Sequence, residues 1–297
     1  MHRVALADAH THVHRVGSAA CAAMLSEALR ARVETVVVCA TSPADWREVE
    51  QLAADSRRVV ANYGTHPWWA STAPTAPTAP THSALLTAPP PTPLDAAAAE
   101  ASAAAAGASE AAEDAADAAR LEAQLLAHPG AACGEIGLDH SARGLAAAPW
   151  ARQLRSFNAQ LAVAARLARP CSLHCVQAFG PLADAVAEVL RDARASSGAA
   201  APLALLLHSY AGSPGFARQL LAVPGVDAAR TLFSFNGTLA IACASEFLVR
   251  RGAAAGDVPR GAGKDAIKTL ERLAHSQLCF ETDAPDQAFA HLLPAAV

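Results

Sequence analysis

Short apolar runs alternate along the chain with longer stretches whose apolar positions recur at helical spacing. The short runs predict strands at residues 4–9, 35–40, 59–63, 131–136, 171–175, 203–208, 232–235 and 278–282. They are nearly continuous in apolar residues, as parallel strands covered on both faces must be. The longer stretches predict helices at 19–32, 43–56, 110–127, 150–168, 181–194, 214–222 and 265–275. Ser42 is the expected N-cap of the second, with Pro43 in its first helical position. Strands alternating with helices in this number predict an α/β fold, a (β/α)8 TIM barrel, with a doubly wound open sheet as the fallback.

One stretch departs from that pattern. Residues 71–109 read STAPTAPTAPTHSALLTAPPPTPLDAAAAEASAAAAGAS. Its Pro, Thr and Ala repeats favour extended, solvated backbone and carry too little apolar bulk to fold alone. A disordered, low-complexity loop insertion after the third strand is expected, within a single barrel domain spanning 1–297. Residues 250–263 read as another loop. After ETDAPDQ only a short segment remains, so a full eighth helix is not expected: residues 286–293 give barely two turns.

Composition narrows the class. A chain of 297 residues suits one large barrel with extra sequence. Its net charge of −4 excludes general coating of nucleic acid, yet allows a nuclease whose bound cations supply local positive charge. Aromatic residues are only 5%, so the core must rest on Leu, Val and Ala. The seven cysteines lie mostly in apolar runs without a CxxC pair, which predicts reduced, buried thiols. No signal peptide precedes the first strand and no run is apolar enough to span a membrane. A cytoplasmic or nuclear chain without a membrane partner is expected, and no obligate protein partner is evident.

The chemistry stands at the carboxyl ends of the strands. The first ends in DAHTHVH, with His10 and His12; the fourth in GEIGLDH, with Glu135 and Asp139. The fifth carries His174, the sixth His208 and the eighth Asp283. Histidine is 12 of 297 residues, so a given strand end carries one by composition in only about 4% of cases. Three such ends are therefore not a composition effect. In a parallel barrel all carboxyl ends open on one face. His10 and His12 are two apart and leave the strand on one side. Imidazole with carboxylate suits zinc, manganese or iron, and carboxylate suits magnesium. Four histidines and two acids exceed what one four-coordinate ion needs and suit two, with a bridging carboxylate. Glu135 and Asp283 lie in apolar strand ends, where a carboxylate without a cation is costly. Asp8 divides evenly between binding metal and an anchoring or supporting hydrogen-bond role. His14 reads as a loop residue, and His2, His82, His128, His275 and His291 as surface residues. Gly134, Gly137 and Gly237 read as backbone turns.

With these residues in place, the chain resembles the TatD-like metal-dependent hydrolases of the amidohydrolase superfamily. The shared motifs are DAHTH, GTHPW, GEIGLD, QLRSFNAQLAVAARLARPCSLHC, LHSYAGS, FSFNG and ETDAP, in that order. The resemblance implies a barrel, two divalent ions (Mg, Mn or Zn) and hydrolysis of DNA phosphodiester bonds, with DNA as the substrate partner. It implies that His10, His12 and Asp283 hold one ion, that His174 and His208 hold the second, and that Glu135 bridges both. Asp283 is implied to accept the proton of the attacking water, with Glu135 also catalytic, and His66 of GTHPW to contact a substrate phosphate. Two positions depart from the family pattern. The arginine usual just past the fifth-strand histidine is replaced by Val176 and Gln177, and His140 stands where tyrosine usually follows GEIGLD. The alternatives are a hydrolase of a small phosphoester, amide or lactone on the same site, and a non-catalytic metal-binding scaffold.

Overall fold

All eight expected strands form, in one parallel sheet whose hydrogen-bonded order runs β1 to β8. They are β1 (Leu6–Thr11), β2 (Val33–Cys39), β3 (Val59–Tyr63), β4 (Ala132–Asp139), β5 (Cys171–Val176), β6 (Leu205–Leu207), β7 (Leu232–Phe235) and β8 (Leu278–Phe280). The computed structural model describes residues 6–70, 96–197, 201–237, 239 and 267–285, with 96–111 and 197 described by backbone alone. The segment after β8 returns to β1. The Asp283 N–H donates to the His10 carbonyl at 3.0 Å, and the His12 N–H to the Ala284 carbonyl at 2.7 Å. Asp8 fastens this seam by accepting the Thr282 N–H at 2.9 Å and its hydroxyl at 2.6 Å. The result is a nearly closed (β/α)8 barrel, with Val38, Ile136, Leu138, Leu173, Leu207 and Phe233 buried in its core.

The described helices are α1 (Ser18–Arg30), α2 (Trp46–Asp55), α3 (Ala96–Ala127), α4 (Ala142–Ala147), α5 (Trp150–Leu167), α6 (Phe179–Ser197) and α7 (Pro214–Leu221). Three differ from the sequence reading. Helix α2 starts after Asp45, not after Ser42. The Asp45 carboxylate reaches back to accept the Thr41 and Ser42 N–H groups and the Thr41 hydroxyl, which holds residues 41–45 as a turn. Helix α3 begins at Ala96, so residues 96–109 are helical where extended backbone was expected. Alanine is the strongest helix former, and this end of the segment lacks the prolines of its beginning. Helix α4 was not expected; Ser141 caps it by accepting the Gly144 N–H at 3.2 Å. Residues 71–95, 250–263 and 286–293 lie outside the described residues, and of the helix expected at 265–275, residues 267–270 are described as helical.

Helix α5 has a direct bearing on the barrel mouth. One face buries Phe157, Leu161 and Ala164 against the core. Two glutamines of the same helix are also buried, and both are fully used. Gln153 accepts the Asp139 N–H at 2.8 Å and donates to the carbonyls of Asp139, Gly144 and Ala148. Gln160 accepts the Thr65 N–H at 2.7 Å and donates to the Thr65 carbonyl. The helix thereby grips both the loop after β4 and the loop after β3.

Candidate metal centre

Six side chains from five strand ends converge on Glu135. Gly137, two residues on in β4, has φ +153°, and a Cβ there would meet the His174 carbonyl oxygen at 2.0 Å. The bare backbone lets β4 and β5 approach closely where Glu135 and His174 stand. Glu135 Oε2 lies 2.9 Å from His12 Nε2 and 3.3 Å from His10 Nε2. Asp283 Oδ1 lies 3.8 Å from each of those nitrogens. The other oxygen, Oε1, lies 2.6 Å from His208 Nε2, 2.8 Å from His174 Nδ1 and 3.4 Å from His66 Nε2. All these residues are buried. Three overlapping groups of donors have atoms within 4.8 Å of one another: His10 with His208 and Asp283, His10 with His12 and Glu135, and His66 with Glu135 and His174.

The ring tautomers bear on what this cluster can hold. His12 Nδ1 lies 2.7 Å from the Cys39 carbonyl, which can only accept, so that nitrogen carries the proton. A neutral His12 then turns a bare lone pair toward the Glu135 carboxylate and toward His10 Nε2, 3.2 Å away. Lone pairs so placed need a cation between them or an added proton. With protons alone, His12 is raised from its ordinary value: burial opposes the charge, and Glu135 and Asp283 outweigh it. His208 is likewise raised well above, against burial, by Glu135. His10 is lowered to about 4 by burial and by the charge on His208. Burial would lift Glu135, yet the imidazoles of His208, His66 and His10 hold it well below the usual carboxylate range. Burial pushes Asp283 up to about 7. A divalent cation placed here competes with protons for the same lone pairs.

A surrounding set of groups orients the rings. His10 Nδ1 lies 2.9 Å from Ser172 Oγ and 3.3 Å from Cys39 Sγ. His174 Nε2 lies 3.4 Å from Asp139 Oδ2, which also accepts the Trp68 indole N–H at 2.6 Å. His208 Nδ1 lies 3.7 Å from Glu281 Oε1, an oxygen that accepts the Ser209 N–H at 2.6 Å. The Ser234 hydroxyl donates to the second Glu281 oxygen. Asp139 stood among the strand-end acids, but its contact with His174 did not show in the string. Glu281 was missed, although it stands two residues before Asp283 in the same motif.

The remaining expected residues fall as follows. His66 is buried beside His174, with Nε2 to Nδ1 at 3.2 Å, and its ring accepts the Trp68 N–H. His14 lies in the short turn after β1, buried, with Nε2 3.1 Å from Asp45 Oδ2. His128 is partly buried against Glu50 and the Gln124 carbonyl, and His275 is exposed. His2, His82, His291 and Cys243 lie outside the described residues; the other six cysteines are free thiols. A cavity of about 650 Å³ between α1 and α2, lined by Cys21, Leu25 and Arg47 among others, contains none of the donors. Among the described residues no helix is long and apolar enough to cross a membrane.

A nearly closed parallel barrel with imidazoles and carboxylates gathered at the carboxyl ends of its strands defines a class of barrel hydrolases. Residues 7–293 match the family model described as TatD related DNase, and the chain belongs to that family. Among solved structures it is similar to a TatD homologue, YJJV, from Escherichia coli K12. Identity there is 19% and the TM-score 0.59, over 96% of this chain and 81% of that one. It is similar to an uncharacterized amidohydrolase from Saccharomyces cerevisiae at 16% identity and TM-score 0.56, over 88% and 67%. A hydrolase TatD family protein from Entamoeba histolytica matches at 11% identity and TM-score 0.55, over 95% and 75%. No curated protein sequence matches the chain.

Proposed function

We propose that the protein is a two-metal-ion hydrolase and, within that class, a deoxyribonuclease that cleaves DNA phosphodiester bonds. The observation that carries this reading is the division of Glu135: each carboxylate oxygen faces its own set of imidazoles. On this reading His10, His12 and Asp283 would hold one ion and His174 and His208 the other, with Glu135 a ligand shared between them. The residues fit such ions. Separations near 3 Å between donor atoms match the edges of a coordination sphere whose bonds are about 2.0–2.2 Å. Bound there, two divalent ions supply an activated water and neutralise charge on the phosphoryl group.

The chain's own groups do the rest. Asp283, a buried carboxylate 3.8 Å from the His10 and His12 nitrogens, stands where it would take a proton from the attacking water. His66 stands against the second imidazole set and holds a phosphate oxygen of the substrate. Val176 and Gln177, in the place of the family's arginine, favour a second reading on the same site, with a small phosphoester, amide or lactone as substrate.

The test is DNA digestion with magnesium, manganese and zinc in parallel, with chelated protein and Asp283→Asn as controls. Cleavage that chelator abolishes and the variant lowers by about 10²–10⁴-fold is expected, with about two ions per chain on metal analysis. Metal-dependent turnover of a small phosphoester without any DNA cleavage moves the substrate to the second reading.

A further inference from the structure

Beside the donor cluster, the turn after β3 presents two adjacent tryptophans, and each has a guanidinium over its ring. Trp68 and Trp69 are stacked with centroids 6.0 Å apart, and both are partly exposed. The Arg143 Cζ lies 3.8 Å from the Trp68 centroid and the Arg15 Cζ 5.5 Å from that of Trp69. Both arginines are exposed; Arg143 stands in α4, after β4, and Arg15 in the short turn after β1. Arg143 forms no ion pair among the described residues.

This group is continuous with the donor cluster. The Trp68 indole N–H bonds Asp139, whose same oxygen is 3.4 Å from His174. The His66 ring lies 4.8 Å from Trp68 and 5.6 Å from Trp69. Elsewhere the aromatic content is low and the net charge is negative, so this concentration of indole and guanidinium is local. Indole faces bind any base by stacking, and arginine binds phosphate and stacks on rings.

We propose that Trp68, Trp69, Arg15 and Arg143 form a ledge that grips a single nucleic-acid strand beside the metal centre. A base stacks against Trp69, while Arg143, seated over Trp68, takes a backbone phosphate. Arg143 thereby supplies from α4 the cation that Val176 and Gln177 do not. A duplex keeps its base faces stacked on one another, so the ledge selects a strand whose bases are free. The substrate class rests on the nuclease reading; the ledge itself is read from the rings.

The test uses the full chain and fluorescence anisotropy with labelled oligothymidine, an abasic oligomer of equal length and a duplex, in chelator so that nothing is cleaved. Wild type should bind oligothymidine tightest. Trp69→Leu should weaken oligothymidine roughly fivefold or more, the loss of one base stack, and bring it level with the abasic strand. Arg143→Ala, at an exposed position, should weaken both single strands equally and reduce the salt slope by about 0.7, one phosphate contact. Arg143→Lys should keep the slope. With metal restored, these substitutions should raise KM more than they lower kcat. Equal binding of abasic and thymidine strands by wild type, no binding of either, or unchanged affinities in both variants overturns the ledge. Strand binding that shows these effects without any cleavage keeps the ledge and removes the nuclease reading. Cleavage with indifferent variants does the reverse.

Discussion

The two oxygens of Glu135 face imidazoles that are held in different ways. On the Oε2 side, His12 is tied to a backbone carbonyl at 2.7 Å and His10 to a serine hydroxyl at 2.9 Å. On the Oε1 side, the outer nitrogens of His174 and His208 face carboxylates of Asp139 and Glu281 at 3.4 and 3.7 Å. The first set is fixed by neutral, short contacts, part of them main chain. The second leans on charged side chains at longer range, which make the rings more basic but position them less firmly. On the two-ion reading, the Oε2 side is the tighter site and the Oε1 side the one that loads later and empties first.

The largest effect should come from removing what the two sides share. Glu135→Gln should lower the ion content from about two per chain toward none and leave no detectable turnover; two ions retained on metal analysis would end the bridging assignment. Asp283→Asn removes a donor that lies with His10 and His208 and should lower kcat by about 10²–10⁴-fold, the usual worth of a general base. A chelator titration followed by metal analysis should release the ions in two steps, with the earlier step absent in His208→Ala; one joint step would erase the distinction between the sides. Glu281→Gln should weaken the Oε1 site by about 10–100-fold and spare the other. Equal weakening of both sites would show that Glu281 supports the whole cluster.

A smaller, pH-dependent effect distinguishes Asp283 in the metal-free protein. Its folded value, lifted to about 7 by burial, exceeds the ordinary 3.8. Between those values the folded state holds a proton that the unfolded state has released. Stability from this group is therefore full below the ordinary value and lost as pH rises toward about 7. Thermal melts in chelator should show Asp283→Asn gaining on wild type across that window; a constant difference in Tm would mean that the carboxyl is not buried as an acid.

Much of the fold was legible because strands covered on both faces must be apolar throughout, and such runs are rare by chance. The strands at 59–63 and 232–235 were bounded to the residue. Helix starts were less readable, because they depend on which polar side chain wins a local competition. Asp45 outreaches Ser42 through four hydrogen bonds that no spacing rule encodes. The alanine end of the 71–109 stretch is helical because alanine's helix propensity takes over where the prolines stop. At the site, histidines at strand ends were conspicuous against composition. Their supports were not: Ser172, Cys39 and Glu281 are ordinary residues until the barrel brings them behind a ring. The tryptophan–arginine pairs were invisible for a related reason, since each joins residues from separate elements.

The seam between β1 and the segment after β8 has a consequence in time. His10 and His12 leave the ribosome early, yet Asp283 and the backbone that clasps them arrive only after the eighth strand has been translated. A nascent chain therefore carries most of its imidazoles before the backbone that clasps them, and on the two-ion reading the cluster is complete only with the last stitch.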